Sequence, residues 1–375
     1  SDVPLGAFLS GGVDSSAIVA MMASHSAGPV NTFSISFNDK NFDESAYAEE
    51  TAKRYGTSHM TKQLDPNEFS VLDQLANMYD EPFGDSSAMP TYRVCAEARQ
   101  HVTVCLSGDG GDELFAGYRR YLWHQKEASL RAKLPAQIRG PIFGLLGRLY
   151  PKMDWAPRYL RAKNTFQELS VEDDIGFFQN VSVTPNALRN KLFSQKLTQD
   201  LSGYKSQDLI SEHMKALDTE DDLLRAQYTD LKTWLAGGIL TKVDRASMAA
   251  SLEVRAPLLD HELTEWALNL PPHLKLNGTT GKYILKKALE PYVSHEILYR
   301  PKQGFSMPIK DWFRADLKQR VKDACHSNRL LQTGYFNESA LKTLSQEHQS
   351  GRRDHSAVLW LVLMFDAFLQ NTQKI

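Results

Sequence analysis

The sequence predicts an α/β protein, a doubly wound parallel sheet carrying a large helical lobe. From residue 5 to about residue 118, short apolar runs alternate with amphipathic stretches, the pattern of repeated strand–helix units. Two of those runs end in glycine-rich turns that lead straight into helices. After Tyr118 the strand signals fade and helical periodicity takes over.

Taken in order, strands are predicted at residues 6–10, 32–37, 60–63 and 102–106. The fourth, Val102-Thr103-Val104-Cys105-Leu106, is β-branched and apolar, as a parallel strand covered on both faces must be. Helices are predicted at 15–24, 44–55, 67–78 and 91–99, with Asp43-Glu44-Ser45 and Asp65-Pro66-Asn67 as start signals. Residues 121–207 read as amphipathic helix interrupted by Pro135, Pro141, Pro151, Pro157 and Pro185, and 208–268 hold further helices. Leu270-Pro271-Pro272 and Asn277-Gly278-Thr279-Thr280-Gly281 are turns. Helices at 283–289, 312–326, 338–349 and 356–370 complete the chain. The division expected is a core at 1–120 and a helical lobe at 121–375 packed on it, with a soft boundary that allows a single domain.

Composition narrows the class. Of 375 residues, 42% are hydrophobic and 23% charged, which suits a soluble globular fold. The net charge of −2 supplies no basic field, so no nucleic-acid partner is expected. Cys95, Cys105 and Cys325 are scattered and odd in number, against a disulfide framework or structural zinc. The longest apolar run, 357–365, falls far short of the roughly 18 residues that suggest a membrane span. No signal peptide is expected ahead of Ser1, and a reducing cytoplasm is the expected setting.

Two loops carry the chemistry. The apolar run Leu5 to Leu9 leads into Ser10-Gly11-Gly12-Val13-Asp14-Ser15-Ser16 and then helix. Glycines let backbone N–H groups approach phosphate oxygens, and the helix start adds partial positive charge. Ser15 and Ser16 can cap the helix or donate to phosphate. Asp14 would repel a phosphate unless a cation sits between them. An ordinary strand-to-helix loop has the same composition, and no Walker loop or G-x-G-x-x-G occurs. The second loop, Ser107-Gly108-Asp109-Gly110-Gly111-Asp112-Glu113, places three acids within five residues. Such crowding is unfavourable unless solvent or a cation separates the charges. A solvated acidic loop is one reading, and Mg²⁺ shared between carboxylates and substrate phosphates is the other. Both loops follow buried strands, so both should lie at the carboxyl edge of one sheet, where such folds bind ligands. Together they describe a site for a nucleotide polyphosphate and its metal, with Asp14 and Asp112 as the metal ligands.

The first loop resembles the pyrophosphate loop of the N-type ATP pyrophosphatases, with their adenine nucleotide alpha hydrolase-like fold. With Leu106 to Tyr118, it is similar to the synthetase domain of class B, glutamine-hydrolysing asparagine synthetase. Two further blocks agree: Lys242-Val243-Asp244-Arg245-Ala246-Ser247-Met248 running to Asp260, and Arg300-Pro301-Lys302-Gln303-Gly304-Phe305-Ser306. The resemblance spans residues 5 to about 313 and narrows to the asparagine synthetase and β-lactam synthetase group.

It implies ATP and Mg²⁺ as cofactors. Adenylation of a carboxylate, foremost the side chain of aspartate, would be followed by attack of ammonia to give an amide, AMP and pyrophosphate. Leu9, Ile35, Ser107 and Gly108 match positions that contact the AMP portion, and Ser10, Gly11, Gly12, Asp14, Ser15 and Ser16 form the pyrophosphate loop. Lys302 matches the lysine that contacts pyrophosphate and assists the intermediate, and Lys282 a lysine beside it. Without the resemblance, both read as solvated surface lysines. Asp109 is the candidate general base, where the asparagine synthetase pattern often carries Glu and β-lactam synthetases Tyr. In the family a glutaminase domain precedes this region, so the chain is read as a fragment able to use free ammonia but not glutamine. A homodimer is a further expectation. Asp244, Arg245, Glu253 and Arg255 read either as structural salt bridges or as the lining for an amino-acid substrate, and Tyr118 and Phe115 as packing. Alternative readings are amidation of another carboxylate in sugar or peptide biosynthesis, a tRNA-modifying pyrophosphatase, and a non-catalytic adenylate-binding module.

Overall fold

Residues 2–39, 41–64, 70–151, 162–301 and 307–372 are described in a computed structural model of the chain. The α/β expectation holds. The core is β1 (Leu5–Phe8), α1 (Val13–His25), β2 (Asn31–Ser36), α2 (Ser45–Tyr55), β3 (Ser58–Gln63), α3 (Ser70–Met78), α4 (Ala88–Arg99), β4 (Val104–Leu106) and α5 (Gly111–Leu114). A fifth strand, β5 (Glu253–Arg255), joins from far along the chain. The sheet order is β3-β2-β1-β4-β5, and every pairing is parallel. Successive strands run outward from β1 to β3 on one side and through β4 to β5 on the other. The reversal in strand order falls between β1 and β4, where the loops after these two strands open a crevice.

Burial explains which strands were legible. Ala7, Thr32, Phe33 and Cys105 are fully buried, so the central strands are small or apolar. The edge strand β3 carries an exposed Lys62, a common guard against edge pairing. Strand β5 overturns the expectation that strands end before Tyr118. Its three residues include Glu253 and Arg255, both exposed, so it has no apolar run to announce it. Backbone pairing to β4 in the register Cys105↔Val254 defines it instead.

One apolar cluster joins Phe33, Leu75, Cys95 and Val102 to Phe313, Trp360 and Leu363. The helix Ser356–Thr372 packs on α3, and the helix Thr241–Ala249 packs on α4. Residues from the second half of the chain thus complete both the sheet and its core. Helices Tyr283–Leu289 and Glu338–Gln349 match the expected bounds. The helix expected at 312–326 is instead two, Ile309–Trp312 and Lys318–Cys325, separated by a turn in which the Leu317 amide donates to the Trp312 carbonyl at 2.8 Å. The helix expected at 67–78 is described from Ser70. Among the described residues, no helix is long and apolar enough to cross a membrane.

All three cysteines are free thiols and buried. Burial pushes Cys105 and Cys325 up to about 12. Thiolate is the reactive form, so both should be inert in the native state. A disulfide reagent at pH 8 should register no fast-reacting thiol in the native protein and three after denaturation. A rapid native reaction would contradict the packing.

Candidate active site

The turn after β1 is held from within. Ser15 Oγ lies 3.1 Å from Ser10 Oγ and 3.3 Å from the Gly12 carbonyl, and accepts from the Ser10 amide at 3.2 Å. Helix α1 starts at Val13 with Gly12 as its cap. Ser15 and Ser16 therefore lie inside the first turn rather than capping it. Ser16 is fully buried and its hydroxyl meets Thr51 Oγ1 at 3.2 Å, tying α1 to α2. Gly11 has φ +69°, and a Cβ there would lie 2.6 Å from the Ala48 amide nitrogen of α2. Its carbonyl accepts from Arg300, which also pairs with Glu44 at 2.6 Å. Gly11 and Ser16 thus shape the turn from behind, while Ser10, Gly12, Asp14 and Ser15 face the cavity.

The second loop reaches the first. The Ser107 amide donates to the Arg255 carbonyl at 2.8 Å, so β5 positions the loop's start. A Cβ at Gly108 would stand 2.7 Å from Asp14 Cβ and 2.9 Å from the Ser15 amide nitrogen, so only glycine lets the loops touch. Where they meet, Lys282 Nζ bonds Asp112 Oδ1 at 2.8 Å and also bonds Asp14. Lys282 is buried. Burial lowers its pKa, but Asp112 and Asp14 outweigh that and leave it raised, so it carries its charge.

A second layer supports the acidic loop. Gln227, fully buried on helix Asp222–Asp230, donates to the Glu113 and Leu114 carbonyls at 2.6 and 2.9 Å. Its own carbonyl accepts from Lys275 at 3.0 Å, and Lys275 also donates to the Leu268 carbonyl at 3.2 Å. Lys275 is fully buried, and burial pushes it down from 10.5 to about 8. Between these values the unfolded chain holds a proton that the folded one has released, so folding gains stability as pH rises through that window. At about 1.4 kcal/mol per unit, the gain approaches ~3 kcal/mol. Urea unfolding from pH 8 to 10.5 should show wild type gaining this much on Lys275→Met; parallel curves would refute the assignment.

The two loops open on a cavity of about 1020 Å³. Leu9, Ile35, Ser107, Gly108, Asp109 and Lys282 line it, beside the four loop residues already named and Asp112. Burial pushes the Asp109 carboxyl up, partly offset by Ser107 and Lys242. Sequence reasoning missed several lining residues. Glu113 is buried and pushed up to about 7, and it accepts from Tyr118 at 2.7 Å. The Tyr118 hydroxyl in turn accepts from Trp234 Nε1 at 3.3 Å, so Tyr118 belongs to the cavity wall and not only to packing. Phe115 is packing, as expected. Trp234 lies on Leu231–Leu240, wound as a π-helix, a distortion frequent at functional sites. Lys242 donates to Asp85 at 3.1 Å and Ser87 at 2.8 Å on the same wall.

The lining proposed for Asp244, Arg245, Glu253 and Arg255 is corrected. Arg245 pairs with Asp80 at 2.6 Å, and Arg255 with Glu253 at 2.6 Å, on exposed surface, and none of the four lines the cavity. These residues lie on the exposed side of the helix Thr241–Ala249 and on the edge strand β5, where solvent screens them. Lys302, with the rest of 302–306, lies outside the described residues. Among the described residues there is no group of three or more His, Cys, Asp or Glu able to hold a metal. Among the described residues, Asp14 and Asp112 supply two carboxylates around the Lys282 ammonium, a donor set that suits Mg²⁺ completed by phosphate oxygens.

The fold and site define an α/β protein with a glycine-rich loop and an acidic loop converging at the sheet's reversal point. The asparagine synthase family model matches residues 1–370, and the chain belongs to that family. It is 32% identical over 368 residues to asparagine synthetase [glutamine-hydrolyzing] 1 of Bacillus subtilis (strain 168), covering 97% of this chain and 56% of that protein. It is 35% identical over 373 residues to a putative asparagine synthetase [glutamine-hydrolyzing] of Mycobacterium tuberculosis (strain ATCC 25618 / H37Rv), covering 97% and 54%. The amidase chyE of Penicillium rubens (strain ATCC 28089 / DSM 1075 / NRRL 1951 / Wisconsin 54-1255) is 27% identical over 416 residues, covering 98% and 59%. The chain thus spans about half the length of these relatives.

Proposed function

We propose that this chain performs the ligase half of an ATP-dependent amidation: adenylation of a carboxylate, then attack of ammonia to release AMP and an amide. One observation carries the reading. Asp14 and Asp112, nearly a hundred residues apart, both bond the Lys282 ammonium in the lining of the cavity. A carboxylate cannot expel oxide, whereas AMP is a good leaving group, so adenylation is the chemical reason to bring a triphosphate here.

Asp14 and Asp112 would hold Mg²⁺, which when bound neutralises pyrophosphate oxygens. The loop amides of residues 11–16 would orient the triphosphate, and Leu9, Ile35, Ser107 and Gly108 would take the adenylate end. Lys302 and Lys282 would offset charge developing on the phosphates. The attacking nitrogen must shed a proton, and Asp109, its carboxyl raised by burial, would accept it. In the full-length relatives, named for glutamine hydrolysis, a separate domain would supply the ammonia. The division into a nucleotide-binding core and a helical lobe that adds substrate contacts is part of the same proposal.

Aspartate is the leading substrate. A second reading, another carboxylate, is favoured by the wall around Lys242: Asp85 and Asp109 already offset that lysine's charge, which weakens it as a partner for a substrate's second carboxylate. Exchange of labelled pyrophosphate into ATP, run with a panel of carboxylic acids, tests both. Exchange with aspartate alone supports the first reading, and exchange with a different acid the second. No exchange with any acid would remove the ligase proposal.

A further inference from the structure

Lys282 stands where a bridging cation would stand. Its ammonium bonds both Asp112 Oδ1, at 2.8 Å, and Asp14. Its side chain is only 6% exposed, against 17% and 18% for the two acids, so solvent does little to screen the triad. The backbone is arranged to aim it there. Lys282 has φ +55°, in the left-handed region that non-glycine residues avoid, and its amide donates to the Phe115 carbonyl at 2.8 Å. Gly117 closes over the pair: any side chain there would strike Lys282 Cε and Asp112 Oδ1. A strained turn held this tightly makes the contact a built feature of the site.

We infer that Lys282 is a resident counter-ion that competes with the divalent cation for Asp14 and Asp112. In the ligand-free protein the lysine satisfies the two acids and keeps metal affinity low. When metal and triphosphate enter together, the ammonium leaves the carboxylates for phosphate oxygens. Metal alone would have to displace a buried positive charge without bringing an anion to receive it. Metal binding is thereby coupled to nucleotide binding, and the empty acidic pair is never left uncompensated. This rests on the reading of the loops as a metal–triphosphate site.

Mn²⁺ alone is the probe, with free ion followed by electron paramagnetic resonance in the ligand-free protein. Lys282→Met should bind Mn²⁺ at least tenfold more tightly than wild type. Adding Asp112→Asn to that variant should abolish the gain. The melting temperature of Lys282→Met should rise with Mn²⁺ while that of wild type barely moves. Lys282→Gln, which keeps a donor to the carboxylates, is the second variant and should shift the same way. A variant that folds only in the presence of Mn²⁺ also supports the inference. Equal Mn²⁺ affinity in wild type and both variants overturns the lysine's role and leaves the metal site standing. Variants that stay unfolded at every Mn²⁺ concentration overturn it too, because no cation then replaces the lysine. Folded variants and wild type that bind no Mn²⁺, even with a non-hydrolysable ATP analogue, instead sink the metal–triphosphate reading beneath it.

Discussion

Asp112→Asn should lower metal-dependent formation of AMP and pyrophosphate by about 10³-fold or more, equivalent to ~4 kcal/mol of transition-state stabilisation. The substitution keeps the shape of the side chain and removes the charge of one carboxylate that bonds Lys282. Metal held jointly with phosphate would lose half its protein ligands. Asp14 still pairs with Lys282, so the lysine keeps one counter-charge and the fold should persist. Pyrophosphate release measured against Mg²⁺ concentration checks this directly. Release near the unmutated rate would remove Asp112 from the metal site.

Gly108→Val should be as damaging without removing any functional group. A Cβ at Gly108 would lie 2.7 Å from Asp14 Cβ and 2.9 Å from the Ser15 amide nitrogen, closer than side-chain carbons approach. The γ-carbons of valine enlarge the clash, and the neighbours it meets include backbone. The two loops must separate, which takes Asp14 away from Asp112. Overpacking of this kind costs about 1–3 kcal/mol of stability. The catalytic cost should be larger, about 10²-fold or more, because misplacing reactive groups by about 1 Å has that effect. The expected result is near-native circular dichroism, a modestly lower melting temperature and a collapse of AMP formation. Unchanged activity would show that the contact between loops is dispensable.

Much of the core was legible because its signals are local. Strands β1 and β4 are short apolar runs in the middle of the sheet, whereas β2 alternates Phe33 and Ile35 with Thr32 and Ser34, whose buried hydroxyls bond to β3. The glycine and acid content of the two loops pointed to a phosphate and a cation before any geometry was known. Charges were harder to read. Asp244, Arg245, Glu253 and Arg255 sit in an apolar context in sequence yet lie on the surface, while Lys242, two residues before Asp244, turns into the cavity to meet Asp85 and Ser87. A side chain's direction on a helix depends on what packs against that helix, and neighbouring residues do not record it.

Other features were beyond local signals altogether. Gln227 and Lys275 brace the acidic loop from more than a hundred residues away through backbone carbonyls, which leave no motif. Strand β5 exists because β4 offers it partners, not because Glu253-Val254-Arg255 favours a strand. Gly11 and Ser16 belong to a phosphate-loop pattern in sequence, yet both pack against α2, and the Gly11 carbonyl accepts from Arg300.

The chain by itself determined the alternation of strand and helix, the two loops and the acids they carry, since burial, glycine freedom and charge crowding all act between near neighbours. Tertiary structure alone decided that Lys282 stands between Asp14 and Asp112, that Gly108 lets their loops touch, and that Lys242 rather than Arg245 faces the cavity. These are contacts between segments far apart in sequence. Packing density and the pairing of buried charges select them only once the whole sheet is assembled.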